Sequence, residues 1–306
     1  MSRVSTYGNY QSALMNLMAA QQRNSEAQNT VSTKKNATDL HGFGRDAATV
    51  NALRTSQNRI TAYQEVSKTV ADRLEAQDLA MGRLNEAATN SRLAIANAIA
   101  SGRTEGLMAE LEVQFQIAQN ALNTKHQGQY LFSGGVTDKP PVATGNLDDL
   151  HAAGTTADAF ENGYMRQSSR VDENVVMDTS FLADTLGEEM FAVFKDLKAL
   201  DAATPLTGAL DGATTTALTD LMNRFSTAAT NVVNEQAKNG TYQQRVEKLI
   251  EDHQVRADSV EIMLGEKTDA DMFKAVSELE LSQISLQASA QVINQLRQVS
   301  LLDYLR

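Results

Sequence analysis

Proline sets the outline of this chain. Its three prolines, Pro140, Pro141 and Pro205, leave residues 1–139 and 206–306 without any. A proline inside a helix costs about 3 kcal/mol, through its missing N–H and its clash with the preceding turn. Two long proline-free arms therefore permit long unbroken helices around an irregular centre. Glycine follows the same division, with Gly128, Gly134, Gly135, Gly145, Gly154 and Gly163 gathered in that centre.

The arms carry heptad spacing. Leu53, Ile60, Tyr63, Val70, Leu74, Met81 and Leu84 recur at threes, fours and sevens, as do Met108, Leu111, Phe115, Ala118 and Leu122. The second arm repeats this with Leu218, Met222, Phe225, Ala229 and Val232, then Val246, Ile250, His253, Ala257, Val260 and Leu264. Such spacing gives each helix one apolar seam and favours near-parallel packing. Gly102 and Gly106 mark a break between the first two helices, with Thr104 as a starting signal. Gly265 reads as a C-cap, and Thr268 or Asp269 as the N-cap of a last helix.

That last helix has two apolar stripes. One runs through Met272, Val276, Leu279, Leu286, Ala290 and Ile293; the other through Leu281, Ile284, Ala288, Val292, Leu296 and Val299. At about 1.5 Å per residue, residues 269–302 would span about 50 Å. One partner helix cannot cover both stripes. The first residues also show helical spacing, at Val4, Tyr7, Tyr10, Leu14 and Leu17.

The stretch 136–186 reads differently. "RVDENVVMDTSF" is rich in β-branched residues, and Asn162-Gly163 is a hairpin candidate, so a small β-containing insert is expected. Helix resumes at "GEEMFAVFKDLKAL", Gly187 to Leu200. For "HQGQYLFSGG" the expectation is a helix that runs to its most hydrophobic turn, Tyr130-Leu131-Phe132, and is then broken by glycines.

The net charge is -11, the wrong sign for a nucleic-acid partner. It is unevenly spread: residues 1–40 carry +2 and 267–306 carry -1, leaving -12 for 41–266. Near-neutral, two-striped ends suit burial against other chains, with the acidic middle in water. There are no cysteines, so disulfides and thiolate metal sites are excluded. No apolar run approaches the roughly 20 residues of a membrane span, and no membrane insertion is expected. The N-terminus lacks the continuous apolar region of a secretory signal.

Catalytic signals are absent. His41, His126, His151 and His253 are scattered, with no partner at helical metal-ligand spacing. His253 lies on the apolar seam, where a single hydrogen bond is the expected role. "GFG" at Gly42–Gly44 has no third glycine and reads as a helix-joining turn, while Asp148-Asp149 and Glu188-Glu189 read as solvated charge. No enzyme activity, cofactor or metal is expected.

Three stretches carry a family resemblance. "GQYLFSGG", Gly128 to Gly135, resembles a helix-end signature of the bacterial flagellin superfamily, in which an aromatic, an aliphatic and a Phe precede a small residue and glycine. "SRVSTYGNYQSAL", Ser2 to Leu14, resembles the start of its hook–filament junction branch, and "SLLDYLR", Ser300 to Arg306, the finish shared across the superfamily. "NATDLHGFGRDAATV" sits where the family has a turn before its first long helix, but without the family's Pro and with different wording. The resemblance covers about 1–135 and 215–306.

The resemblance implies a mainly α fold, a long antiparallel helical bundle or coiled coil in which the chain goes out and returns. Residues 1–40 and 267–306 would pair as an inner terminal coiled-coil domain, 41–135 and 187–266 would form a helical bundle, and 136–186 would project as the β-containing insert. It implies a structural junction adaptor between hook and filament, exported unfolded by the flagellar type III route to the extracellular flagellum. A filament flagellin shares nearly all of this physics, and heptads alone would also suit a cytoplasmic coiled-coil scaffold. The implied partners are copies of itself in a ring or helical assembly, neighbouring hook-associated and flagellin subunits, and a flagellar export chaperone. The residues expected at the assembly interface are Val4, Tyr7, Leu14, Leu17, Ile284, Leu296, Val299, Leu302 and Leu305. Those expected at the bundle-end turn are Tyr130, Leu131, Phe132, Gly134 and Gly135.

Overall fold

The computed structural model describes the backbone of residues 2–304 and the side chains of residues 8–297. It is mainly helical, as the arms predict. The helices are α1 (Ser2–Thr33), α2 (Ala47–Ser101), α3 (Leu107–Leu122), α4 (Leu147–Ala152), α5 (Ala183–Ala203), α6 (Gly212–Thr268) and α7 (Met272–Tyr304). Two antiparallel hairpins supply the strands: β1 (Lys125–His126) with β2 (Gln129–Tyr130), and β3 (Ser168–Asp172) with β4 (Val175–Asp178). The chain divides into two compact units, residues 1–60 with 255–306, and residues 61–254.

In the 61–254 unit one apolar core draws on α2, α3, α5 and α6. The seam residues Met81, Leu84, Leu111, Phe115, Leu218, Phe225 and Val232 are all buried in it. Its centre is a run of rings: Phe115 packs on Phe191 and Phe194 at centroid distances of 5.1 and 5.5 Å, and Phe194 on Phe225 at 4.9 Å. A second cluster joins Val70 and Leu74 of α2 and Val246 of α6 to Val171 and Met177 of the β3–β4 hairpin.

The stretch 136–186 therefore shares the unit's core. Val142, Leu147, Leu150 and Ala159 are buried with the helices, and the hairpin covers the second cluster. The three-part division expected from the sequence differs from this two-unit grouping for that reason. The hairpin turn is at Glu173-Asn174, between Asp172 and Val175, and not at Asn162-Gly163. Asn162 instead accepts the Asp184 N–H at the start of α5, 3.2 Å away.

The β3–β4 register slips between Arg170 and Asp172, leaving Val171 outside the ladder. Its carbonyl accepts a hydrogen bond from His253 Nε2 at 2.8 Å. His253, fully buried and stacked on Tyr63 at 6.0 Å, thus makes the single bond its seam position predicts. Gln77 and Asn239 are also completely buried, and Asn239 Nδ2 donates to the Leu74 carbonyl at 2.9 Å.

Other local expectations are corrected. Helix α3 ends at Leu122, before the aromatic turn: Gln127 and Gly128, with φ of 50° and 82°, close the β1–β2 hairpin instead. Helix α6 runs through Gly265 to Thr268, and the cap of α7 is Asp271, whose Oδ1 accepts the Phe273 and Lys274 N–H groups at 2.9 and 3.2 Å. Thr104 does not cap α3; its hydroxyl exchanges hydrogen bonds with the Gly208 backbone at 3.0 and 3.2 Å.

Candidate assembly interface

In the unit built from both ends, α1 packs along α7. Among the described residues, the side chains that α1 buries are small or polar: Ala13, Ala20 and Asn24. Small residues let two helix backbones approach closely. Asn24 Nδ2 donates to Ser282 Oγ at 3.0 Å, while Gln28 Nε2 donates to Asn24 Oδ1 at 2.8 Å. The first bond fixes the register between the helices, and the second, within α1, orients the Asn24 amide for it.

The links α1–α2 and α6–α7 are tied together. The Asn36 N–H donates to the Thr268 carbonyl at 2.7 Å, and the Ala270 N–H to the Lys34 carbonyl at 3.0 Å. Lys35 Nζ meets Asp269 Oδ1 at 2.5 Å and Thr268 Oγ1 at 3.2 Å. The Lys35 hydrogen bond, with a further one from Thr268, holds the Asp269 carboxyl below the usual aspartate range. The "GFG" segment lies in a 3-10 turn, His41–Asp46, where Gly44 takes a φ of 51° and Phe43 is buried, with Arg54 5.7 Å from its ring centroid.

This packing leaves a stripe uncovered. On α7, Leu281, Ile284 and Val292 are 64, 62 and 48% exposed, and Ala288 between them is also exposed. These are residues of the second stripe read from the sequence. Leu279, Leu286 and Ile293, of the first, are half-buried. On α1, Met15 and Met18 are exposed at 63 and 59%. An apolar line on a helix otherwise paired through small and polar contacts is suited to burial by another chain.

The expected interface residues divide accordingly. Ile284 is on the bare stripe, and Leu14, Leu17 and Leu296 are half-buried. The side chains of Val4, Tyr7, Val299 and Leu302, and the whole of Leu305, lie outside the described residues. The sequence reading missed the small-residue seam of Ala13 and Ala20. Their spacing of seven was the available signal, hidden because alanine is common throughout the arms.

The other expected site, in the 61–254 unit, is built as follows. Leu131, Phe132 and Ser133 are buried, while Tyr130 is half-buried beneath Lys125 Nζ, 4.4 Å from its ring centroid. The Phe132 carbonyl accepts the Ala183 N–H at 3.0 Å, tying the turn to the start of α5. Gly134 has a φ of 63°, and a Cβ there would stand 2.1 Å from the Gly163 carbonyl oxygen. A Cβ on Gly135 would meet the Met165 Cβ at 3.1 Å. Both glycines allow two chain segments to touch.

Among the described residues, no group of three or more His, Asp or Glu could hold a metal, and no helix is long and apolar enough to cross a membrane.

Residues 222–305 match the bacterial flagellin C-terminal helical region. No curated protein matches the chain by sequence. Among solved structures, one from Vibrio parahaemolyticus assigned to the flagellar hook-associated proteins is similar at a TM-score of 0.61 and 16% identity, covering 73% of this chain and 97% of that one. FlgL of Bacillus cereus is similar at a TM-score of 0.55 and 14% identity, covering 70% of this chain and 99% of that one. At such identities these two establish the fold, and the sequence match establishes the C-terminal region. The C-terminal region is thus similar to that of the bacterial flagellins, and the fold to that of these two flagellar proteins.

Proposed function

We propose that this chain is a structural subunit of the bacterial flagellum, an adaptor that joins hook to filament. The observation that carries this is the bare stripe of Leu281, Ile284 and Val292, which lies within the segment matching the flagellin C-terminal helical region. The likeness to a hook-associated protein and to FlgL favours a junction subunit over a filament flagellin. The subunit acts by being packed, and its work is mechanical. Neighbouring copies, hook-associated proteins and flagellins bury the stripe and hold the α1–α7 pair in place. Before assembly an export chaperone covers the same stripe, and the chain leaves by the flagellar type III route to the extracellular flagellum.

The test is Ile284→Glu. Because Ile284 is exposed, the isolated chain should keep its stability to within about 0.5 kcal/mol. Incorporation into flagella should be lost, because a charge would be buried at the subunit contact. Leu296→Asp should act in the same direction. Normal incorporation of both variants would overturn assembly through α7.

A further inference from the structure

A cavity in the 61–254 unit, unrelated to the terminal helices, lies beside the β1–β2 hairpin. It offers about 190 Å³ and is lined by Thr69 and Arg73 of α2, by His126, Gln129 and Tyr130 of the hairpin, and by Gln167. A single water needs about 10–15 Å³ on this measure, so a small ion with attendant water fits.

The chemistry of the lining is one-sided. The chain as a whole carries -11, yet no Asp or Glu lines this cavity. Arg73 is half-buried, and no carboxylate pairs with it among the described residues. Its Nη1 donates only to the neutral Gln167 Oε1, and its Nε is enclosed without a partner. Burial lowers its pKa. His126 Nε2 is likewise enclosed without a partner, and Lys125 stands over the outer ring, Tyr130.

Gln167 is itself held rigidly. Its N–H donates to Ser180 Oγ at 2.6 Å, its carbonyl accepts from Ser180 Oγ at 3.0 Å, and its Nε2 donates to the Gly134 carbonyl at 3.4 Å. The amide is thereby fixed with its oxygen toward the guanidinium. A partly buried cation with only a neutral acceptor is an incomplete electrostatic arrangement, since removal from water is offset only by pairing.

We propose that this cavity is an oxyanion site. A phosphate or carboxylate group pairs with Arg73, and Gln129 and His126 supply hydrogen bonds around it. The shared chemistry is a small planar or tetrahedral anion with at least two oxygens, the shape a guanidinium fork receives.

The experiment is thermal unfolding of the full chain in sodium phosphate, sodium acetate and sodium chloride at matched ionic strength. A bound ligand raises Tm along a saturating curve, whereas general salting effects rise without saturating. Wild type should show a saturating rise in at least one of the two oxyanions. Saturation by phosphate alone would assign the site to phosphate-type ions. Saturation by acetate would assign it to carboxylates, free or on another chain's Asp or Glu.

Arg73→Gln should raise the half-saturating concentration at least tenfold. Gln129→Glu, which supplies a carboxylate within the cavity, should melt at or above the wild-type temperature in chloride and lose the saturating response. That second variant decides the matter if Arg73→Gln fails to fold. No saturating response in wild type, or an unchanged half-saturating concentration in Gln129→Glu, would overturn the proposal.

Discussion

Gly134 is where the fold is least tolerant of a single added carbon, and the penalty can be worked out against an internal control. Gly134→Ala must hold an L-residue at a φ of 63°. That conformation costs about 1–2 kcal/mol. The new Cβ would also lie 2.1 Å from the Gly163 carbonyl oxygen and 3.0 Å from Leu182 Cδ2. Gly163 cannot simply withdraw, because its N–H donates to the Ser133 carbonyl at 2.9 Å. Overpacking of this kind adds about 1–3 kcal/mol. Gly102 has nearly the same φ, 66°, but an added Cβ there meets nothing within 4 Å. Gly102→Ala therefore carries only the conformational cost. The two variants should differ by about 2 kcal/mol, which for a unit of this size is roughly 4–8 °C in Tm. Thermal and urea unfolding, followed by far-UV circular dichroism, would measure both. Equal destabilisation of the two variants would show that the Gly134–Gly163 contact does not constrain the chain, and the account of the bundle-end turn would fall.

Three further perturbations probe other links. Phe194→Ala removes the ring between Phe115 and Phe225 and should cost about 3–5 kcal/mol in urea unfolding; a loss under 1 kcal/mol would mean the ring run is not the centre of the core. His253→Leu leaves the Val171 carbonyl only the longer, 3.5 Å hydrogen bond from Ser67 Oγ and should cost about 1–3 kcal/mol, with the greatest loss of amide protection at Val171 and Met177; unchanged protection there would refute a role for His253 in holding the hairpin. Asp269 has a folded pKa below its unfolded value of about 3.9. Its contribution is therefore complete above about pH 4 and is lost as pH falls through the lower folded value. Protection of the Ala270 amide, bonded to the Lys34 carbonyl, should weaken over that acid range in wild type and not in Asp269→Asn.

The long helices were legible because their seams are periodic and uninterrupted. Seams at 70–84, 108–122 and 218–232 map onto buried faces, and the exposed stripe of α7 could be read before any partner was known. Boundaries were less legible, for identifiable reasons. Gly265 looks like a helix end, but one glycine inside a helix costs only about 1 kcal/mol, and the Asp269 N–H still finds the Gly265 carbonyl at 2.8 Å. Tyr130, Leu131 and Phe132 looked like a last helical turn because they are apolar. Their burial is supplied by the start of α5 and the α3 end of the core, which no local pattern announces. The seam polar residues were legible only in part. His253 stood out by type, while nothing in the sequence marks Gln77 or Asn239 as buried: Asn239 bonds the Leu74 carbonyl of another helix, and the Gln77 amide is enclosed without a hydrogen-bond partner among the described residues. The contact of Gly134 with Gly163 spans a stretch of chain too long for sequence spacing to suggest it.

The central claim, a structural subunit placed between hook and filament, is tested most directly by immunogold electron microscopy of intact flagella with antibody against this chain. The account predicts label in a short band at the distal end of the hook. Label along the whole filament would make the chain a filament subunit, and absence of label from flagella with the chain retained in the cell would contradict a flagellar role altogether.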